Sequence, residues 1–233
     1  MSIKNTNAVI TGASRGLGRA LAEHLAAQGA RVVLVARHEE DLAPVVDGIL
    51  ARGGQAWALA ADVGDPTAAV TIAAAAATFA GPVNLLVNNA STLGAVPLPL
   101  LLDLPAEALQ RTFEVNVVGP FRLTQALAGP MVLAGGGTVI NISSDAAVEA
   151  YPTWGGYAAS KAALDHLTRT WSAELEGTGV RFLAVDPGEM NTAMHAAAIP
   201  EADPAALKDP RDVARSLVGL IADAATVSGR LAA

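Results

Sequence analysis

Ser144, Tyr157 and Lys161 are the residues whose types and spacing are best suited to chemistry. Tyr157 and Lys161 stand four apart in a segment where Leu164, Leu167, Trp171 and Leu175 recur at helical spacing. That spacing sets a phenol and an ammonium on one helix face, a turn apart. A free phenol titrates near ~10 and is a poor acid–base catalyst at neutral pH. A fixed ammonium beside it favours the phenolate, so the phenol is expected to be pulled down towards working pH. Ser144 follows Thr138-Val139-Ile140-Asn141-Ile142, an apolar run that reads as a strand. A hydroxyl at a strand end beside a Tyr–Lys pair suits proton transfer at a carbonyl oxygen. Alone, Tyr-x-x-x-Lys is common on inert helix surfaces, so the surrounding elements decide its weight.

Those elements begin with Ala8-Val9-Ile10-Thr11, a short apolar run entering Gly12-Ala13-Ser14-Arg15-Gly16-Leu17-Gly18. Leu17, Leu21 and Leu25 then repeat at helical spacing, Gly29 ends the helix, and Arg31 to Ala36 is a β-branched strand. Glycines between strand and helix let the backbone turn sharply and approach a pyrophosphate, whose charge sits on amides at the helix start. The alternation continues, with strands at Gln55–Ala60, Val83–Val87, Thr138–Ile142 and Val180–Val185, and a start of a seventh at Ser228–Leu231. Helices are expected at Asp41–Leu50, from Asp65-Pro66 through Phe79, from Asp103 through Val117, at Phe121–Leu133, after Tyr157, and from Asp209-Pro210 to Ile221. Gly119-Pro120 is expected to interrupt the Asp103–Leu133 stretch. Strands alternating with helices imply an α/β fold, a doubly wound parallel sheet, with residues 1–233 as a single domain.

Composition agrees. Hydrophobic residues make up 52% and charged residues 16%, ample for a large core, and the net charge of -7 argues against nucleic-acid or anionic-membrane partners. The absence of cysteine excludes disulfides and thiolate metal sites, and His24, His38, His166 and His195 form no ligand cluster, so no metal is expected. The uncharged run Pro66–Leu102 exceeds a membrane span, but Gly81-Pro82, Asn84, Asn88-Asn89, Pro97 and Pro99 break it. With no signal-peptide pattern in the first ten residues, a soluble cytoplasmic protein is expected.

Together the glycine turn, Asp62, Asn88-Asn89-Ala90, Asn116, Ser144, Tyr157, Lys161 and Pro187-Gly188 with Thr192 resemble the short-chain dehydrogenase/reductase family, in family order. The resemblance implies a Rossmann-like sheet of order 3-2-1-4-5-6 with a short seventh strand. It implies a nicotinamide cofactor held by Gly12, Ser14, Arg15, Gly16, Leu17 and Gly18. Asp62 and Val63 would meet the adenine, Asn88 and Ala90 the adenosine side, and Pro187, Gly188, Met190 and Thr192 the nicotinamide end. Ser144 would hydrogen-bond the substrate oxygen, Tyr157 would exchange its proton, Lys161 would also hold the ribose, and Asn116 would fix a water that relays protons to Lys161. The family implies pairing through the Asp103–Leu133 and Tyr157–Glu176 helices, giving a homodimer or homotetramer. The chain stops at Ala233, where relatives usually continue into a glycine-rich tail that helps pack subunits.

Three features narrow the expectation. The second strand ends Val35-Ala36-Arg37, without the carboxylate that would meet a ribose 2′-hydroxyl, and Arg37 with Arg15 suits a 2′-phosphate, so NADP(H) is favoured over NAD(H). Thr92, Leu93, Val148, Tyr151, Trp154, Met190, Met194 and His195 come from loops at strand ends and form, with Ser144, a mostly apolar substrate pocket. The 188–204 segment is the expected mobile lid. The function expected is reduction of an apolar or aromatic ketone, or oxidation of the alcohol. The alternatives are a non-catalytic nucleotide-binding regulatory module and a 3-oxoacyl thioester reductase. Ser91 and Asp145-Ala146-Ala147 depart from the usual family residues near the pocket.

Overall fold

The computed structural model describes residues 2–223 and 228–233. Seven parallel strands form one sheet in the order β3-β2-β1-β4-β5-β6-β7. They are β1 Asn7–Thr11, β2 Arg31–Ala36, β3 Gln55–Ala60, β4 Leu85–Asn88, β5 Gly137–Ile142, β6 Val180–Asp186 and β7 Gly229–Ala232. The expected order and the short seventh strand are both present.

Alternate residues of each strand serve opposite faces. On β1, Ala8 and Ile10 join a core with α1 Gly16–Ala27, α2 Glu39–Ala51 and α8 Pro210–Ala222, while Val9 joins the other core. That second core holds α3 Ala68–Ala80, α5 Gly119–Leu133 and the Trp171 end of α6 Gly155–Glu174. Central strands buried on both faces read as continuous apolar runs, as Val32-Val33-Leu34-Val35 does. Each such side chain, taken wholly out of water, contributes roughly 1.5–3 kcal/mol.

The chain winds outwards from β1 through β2 to β3, then returns to place β4 on β1's other side. The crevice at the carboxyl ends of β1 and β4 is therefore the switch point where such sheets bind ligands. Helix capping matches the sequence at Asp209, which accepts from the Arg211 amide at 2.8 Å. Asp65 instead closes a turn on Thr67, and α3 begins only at Ala68.

The largest departure from expectation lies between α4 Ala106–Phe113 and α5. Gly119-Pro120 does not interrupt the helix. A π-helical segment, Glu114–Val118, joins the two, and the Gly119 amide donates to the Glu114 carbonyl five residues back. Pro120 has no N–H, so the Asn116 carbonyl loses the donor that an α-helix would supply. Widening the turn absorbs that defect without breaking the rod.

Candidate active site

The glycine turn is shaped by contact. Gly12 has φ +65°, and a Cβ there would lie 2.9 Å from both Ala90 Cα and Asn89 Nδ2. At Gly18 it would lie 2.4 Å from the Gly12 carbonyl oxygen, so neither position accepts a side chain. Thr11 ties this turn to β4: its hydroxyl accepts from the Asn89 and Ala90 amides, each at 3.0 Å. Asn89 Nδ2 donates to the Thr11 and Gly12 carbonyls at 2.9 and 3.1 Å. Asn89 is thus the brace of the turn, a role that sequence reasoning missed although the Asn-Asn pair signalled it.

The turn fits a pyrophosphate. Helix α1 starts at Gly16 with no acidic residue in its first turn, and a Cβ on Gly16 would stop 3.4 Å from Thr192 Cγ2 across the crevice. Backbone amides and the helix dipole therefore face a narrow gap without a competing anion. Thr192 caps α7 Ala193–Ala198 by accepting from the His195 amide at 3.2 Å. Gly188, with φ +70°, turns beside it, and its amide donates to Asp186 Oδ1 at 2.9 Å. Lys208 supports this loop through the Pro187 carbonyl at 3.3 Å, and Met190 bridges to Lys208.

At the end of the crevice where adenosine is expected, Asp62 accepts from the Gly64 amide at 2.9 Å and pairs with Arg111 of α4. No spacing in the chain signals Arg111. Val63 is buried in the second core, where its carbonyl approaches Gly119 so closely that a Cβ would sit 2.6 Å away. The Asn88 side chain turns into the protein and donates to Asn141 Oδ1 at 2.8 Å, so only its backbone edges the crevice. Arg15 and Arg37 are exposed, and neither guanidinium has a hydrogen-bond or ion-pair partner among the described residues. Glu39 and Glu40 do not neutralise Arg37.

Strand β5 and helix α6 bring Ser144, Tyr157 and Lys161 together. Lys161 lies buried beneath the Tyr157 ring, Nζ 5.5 Å from its centroid, and donates to the Ile142 carbonyl at 2.7 Å. Burial pushes its pKa down to about 8, and the Asp165 charge partly opposes that fall. Tyr157 behaves contrary to the sequence expectation: its pKa is pushed up to about 12. Burial is the main cause and the charges of Asp145 and Asp186 add to it, outweighing the lowering by the Ser144 and Ser91 hydroxyls. Spacing placed the ammonium correctly, but Lys161 sits under the ring on a backbone carbonyl rather than at the phenol oxygen. The edge of Trp154 packs on the ring, centroids 5.7 Å apart.

Ser144 donates to Asp145 Oδ1 at 2.9 Å, and the Tyr151 hydroxyl donates to Oδ2 at 2.9 Å. Burial alone would raise the Asp145 pKa, but hydrogen bonds from Ser144, Tyr151 and the Ala146 amide hold it below the usual carboxylate range. Asn116, buried on the π segment, accepts from the Thr92 amide at 2.8 Å and the Ser91 hydroxyl at 3.2 Å. Its amide donates to the Thr92 carbonyl and to Ser160 Oγ, each at 2.9 Å. It therefore clamps the β4 loop to α6 directly behind the phenol.

An apolar hollow of about 270 Å³ lies at the rim, lined by Leu100, Leu101, Leu102, Tyr151, Pro152, Thr153 and Gly155. Of the residues expected in the pocket, Tyr151 lines this hollow; Thr92, Leu93, Ser144, Val148, Trp154, Met190, Met194 and His195 do not. Leu102 is 96% exposed, so the hollow's wall carries bare apolar surface. The leucines were hidden in a run read only as a broken membrane span. His195 is mostly buried, its Nε2 3.6 Å from Glu189 Oε1.

Residues 6–203 match the short chain dehydrogenase family. A short chain dehydrogenase of Pseudocercospora fijiensis is 38% identical over 196 residues, covering 83% of this chain and 62% of that protein. The chain thus spans less than two thirds of that relative. An NADPH-dependent aldehyde reductase-like chloroplastic protein of Arabidopsis thaliana is 36% identical, covering 80% of this chain and 73% of that one. Among solved structures, a 7 alpha-hydroxysteroid dehydrogenase complexed with NADH and 7-oxo glycochenodeoxycholic acid superposes with TM-score 0.89 at 31% identity, covering 100% and 96% of the two chains. The chain belongs to the short chain dehydrogenase family, a family of nicotinamide-dependent oxidoreductases.

Proposed function

We propose that this protein is an NADP(H)-dependent carbonyl reductase for apolar or aromatic ketones. The observation that carries the reading is the convergence of Ser144, Tyr157 and Lys161 at the carboxyl ends of β5 and β6. A bound nicotinamide supplies the hydride. Tyr157, protonated through the neutral range, gives its phenolic proton to the substrate oxygen. Ser144 turns its hydroxyl from Asp145 towards the same oxygen, a rotation about one bond. The Lys161 ammonium steadies the phenolate left behind, and a pKa of about 8 lets it accept and return a proton near working pH. Asn116 holds the β4 loop against α6, and the open π turn suits a relay water at its carbonyl.

The Arg15 and Arg37 guanidiniums, without partners among the described residues and beside a strand end lacking a carboxylate, support the choice of NADP(H), with Gly12, Ser14, Gly16, Leu17, Gly18 and Ala90 around the phosphates and adenosine. The exposed leucines and Tyr151 at the rim support an apolar substrate. Residues 1–233 act as one cytoplasmic domain, with 188–204 as a lid, and pair as a homodimer through α4–α5 and α6. Leu133, 90% exposed on α5, supports that pairing. The test is NADPH and NADH oxidation against a panel of aromatic ketones, diketones, sugars and phosphorylated carbonyls. Turnover confined to polyhydroxylated or phosphorylated compounds, or an NADH preference, contradicts the reading.

A further inference from the structure

Behind the Tyr157–Lys161 pair lies a charge cluster that the roles above do not use. Asp165, one helical turn beyond Lys161, has only 6% of its side chain exposed, and neither carboxylate oxygen accepts a well-aligned hydrogen bond. Arg230 of β7 approaches it, Nη1 3.2 Å from Asp165 Oδ2. The same guanidinium reaches Asp186 Oδ2 at 3.4 Å, Ser143 Oγ at 3.3 Å and the Ser144 carbonyl at 2.9 Å. One side chain therefore touches the ends of β5 and β6 and helix α6. We propose that Arg230 is a positioning residue: it fixes the backbone of Ser144 and balances the charges of Asp165 and Asp186 behind the reacting groups.

The inference rests on the reading of Ser144, Tyr157 and Lys161 as the catalytic set. A planar guanidinium can bind two carboxylates and a carbonyl together, as an ammonium cannot. The charges facing Asp165 are Lys161 and Arg169 on its own helix and Arg230 on β7. Those facing Tyr157 are Asp145 and Asp186, which both raise its pKa, and the Lys161 ammonium beneath its ring. Without Arg230, Asp186 acts on the phenol unbalanced, and Asp165 bears more strongly on Lys161, whose pKa it already raises. Both groups then titrate at higher pH. Removing one partner of a buried pair costs more than removing both, so neutralising Asp165 offsets much of the loss.

The experiment uses NADPH-dependent reduction of 1-phenyl-1,2-propanedione, with nucleotide binding and thermal unfolding followed in parallel. Arg230→Gln is expected to lower kcat at least about tenfold, leave the NADPH Kd within about twofold, and move the pH–rate limb upwards. Adding Asp165→Asn is expected to recover at least about threefold in kcat, move the limb part of the way back, since Asp186 still acts on Tyr157, and raise Tm. Should Arg230→Gln not fold, Arg230→Lys keeps the charge and is expected to lose about threefold or more in kcat with KM unchanged. A kcat for either single variant within about 1.5-fold of wild type, or strictly additive losses in kcat and Tm, overturns the proposal. A wild-type protein that binds NADPH but reduces no carbonyl defeats the catalytic reading instead, and the Tm cycle still decides whether Arg230 and Asp165 are coupled.

Discussion

Lys161 should make the apoprotein less stable than a variant that cannot work. Its ammonium is buried, and folding lowers its pKa from 10.5 to about 8. Each tenfold loss of proton affinity corresponds to about 1.4 kcal/mol, so keeping the proton in the folded state at neutral pH costs about 3 kcal/mol. Lys161→Met removes that cost, but it also removes the hydrogen bond to the Ile142 carbonyl, worth about 1–2 kcal/mol when its partner is left buried. The expected net effect at pH 7 is stabilisation by about 1–2 kcal/mol, together with loss of turnover. Below pH 8 both folded and unfolded chains hold the proton, and the difference from wild type is flat. Between pH 8 and 10.5 the unfolded chain binds a proton that the folded one has lost, so wild type gains stability relative to the variant as pH rises. Urea unfolding of both proteins from pH 6 to 10 reads the difference directly, since titrations common to both cancel. A Lys161→Met protein less stable than wild type at pH 7 by about 1 kcal/mol, or a pH-independent difference, refutes this electrostatic account.

Two further perturbations test the cofactor crevice. Ala36→Asp with Arg37→Ala should reverse the ratio of kcat/KM for NADPH over NADH without changing Tm by more than a few degrees, because Ala36 is only partly buried at the end of β2 and Arg37 is exposed just beyond it; an unchanged ratio means that Arg37 does not meet the phosphate. Gly18→Ala drives a Cβ to 2.4 Å from the Gly12 carbonyl and should cost about 1–3 kcal/mol in unfolding free energy and weaken nucleotide binding at least about tenfold. Wild-type binding in a folded Gly18→Ala protein would show that the turn does not approach the ligand.

The alternation of strands and helices, and the grouping of Ser144, Tyr157 and Lys161, were legible because they rest on local patterns, whereas the sheet order came from the family resemblance. Examples are the strand, glycine turn and helix around Gly12–Gly18, and the four-residue spacing of Tyr157 and Lys161. What spacing cannot convey is desolvation, and burial reverses the expected direction of the Tyr157 shift. Pairings between distant segments were equally hidden, as with Asp62 and Arg111 or Asp165 and Arg230, whose partners meet only once the sheet forms. Gly119-Pro120 read as a break because the local rule knows the missing amide but not the π turn that absorbs it. Asn88, expected beside adenosine, spends its side chain on Asn141, a contact between neighbouring strands that only their pairing reveals.

Tyr157→Phe is the most direct test of the central claim, because it removes one oxygen and leaves the buried ring against Trp154 and Lys161. Single-turnover reduction of an aromatic ketone should slow by at least about a thousandfold, while the NADPH Kd stays within about threefold. Turnover within about tenfold of wild type, with the cofactor still bound, would contradict the assignment of Tyr157 as the proton donor.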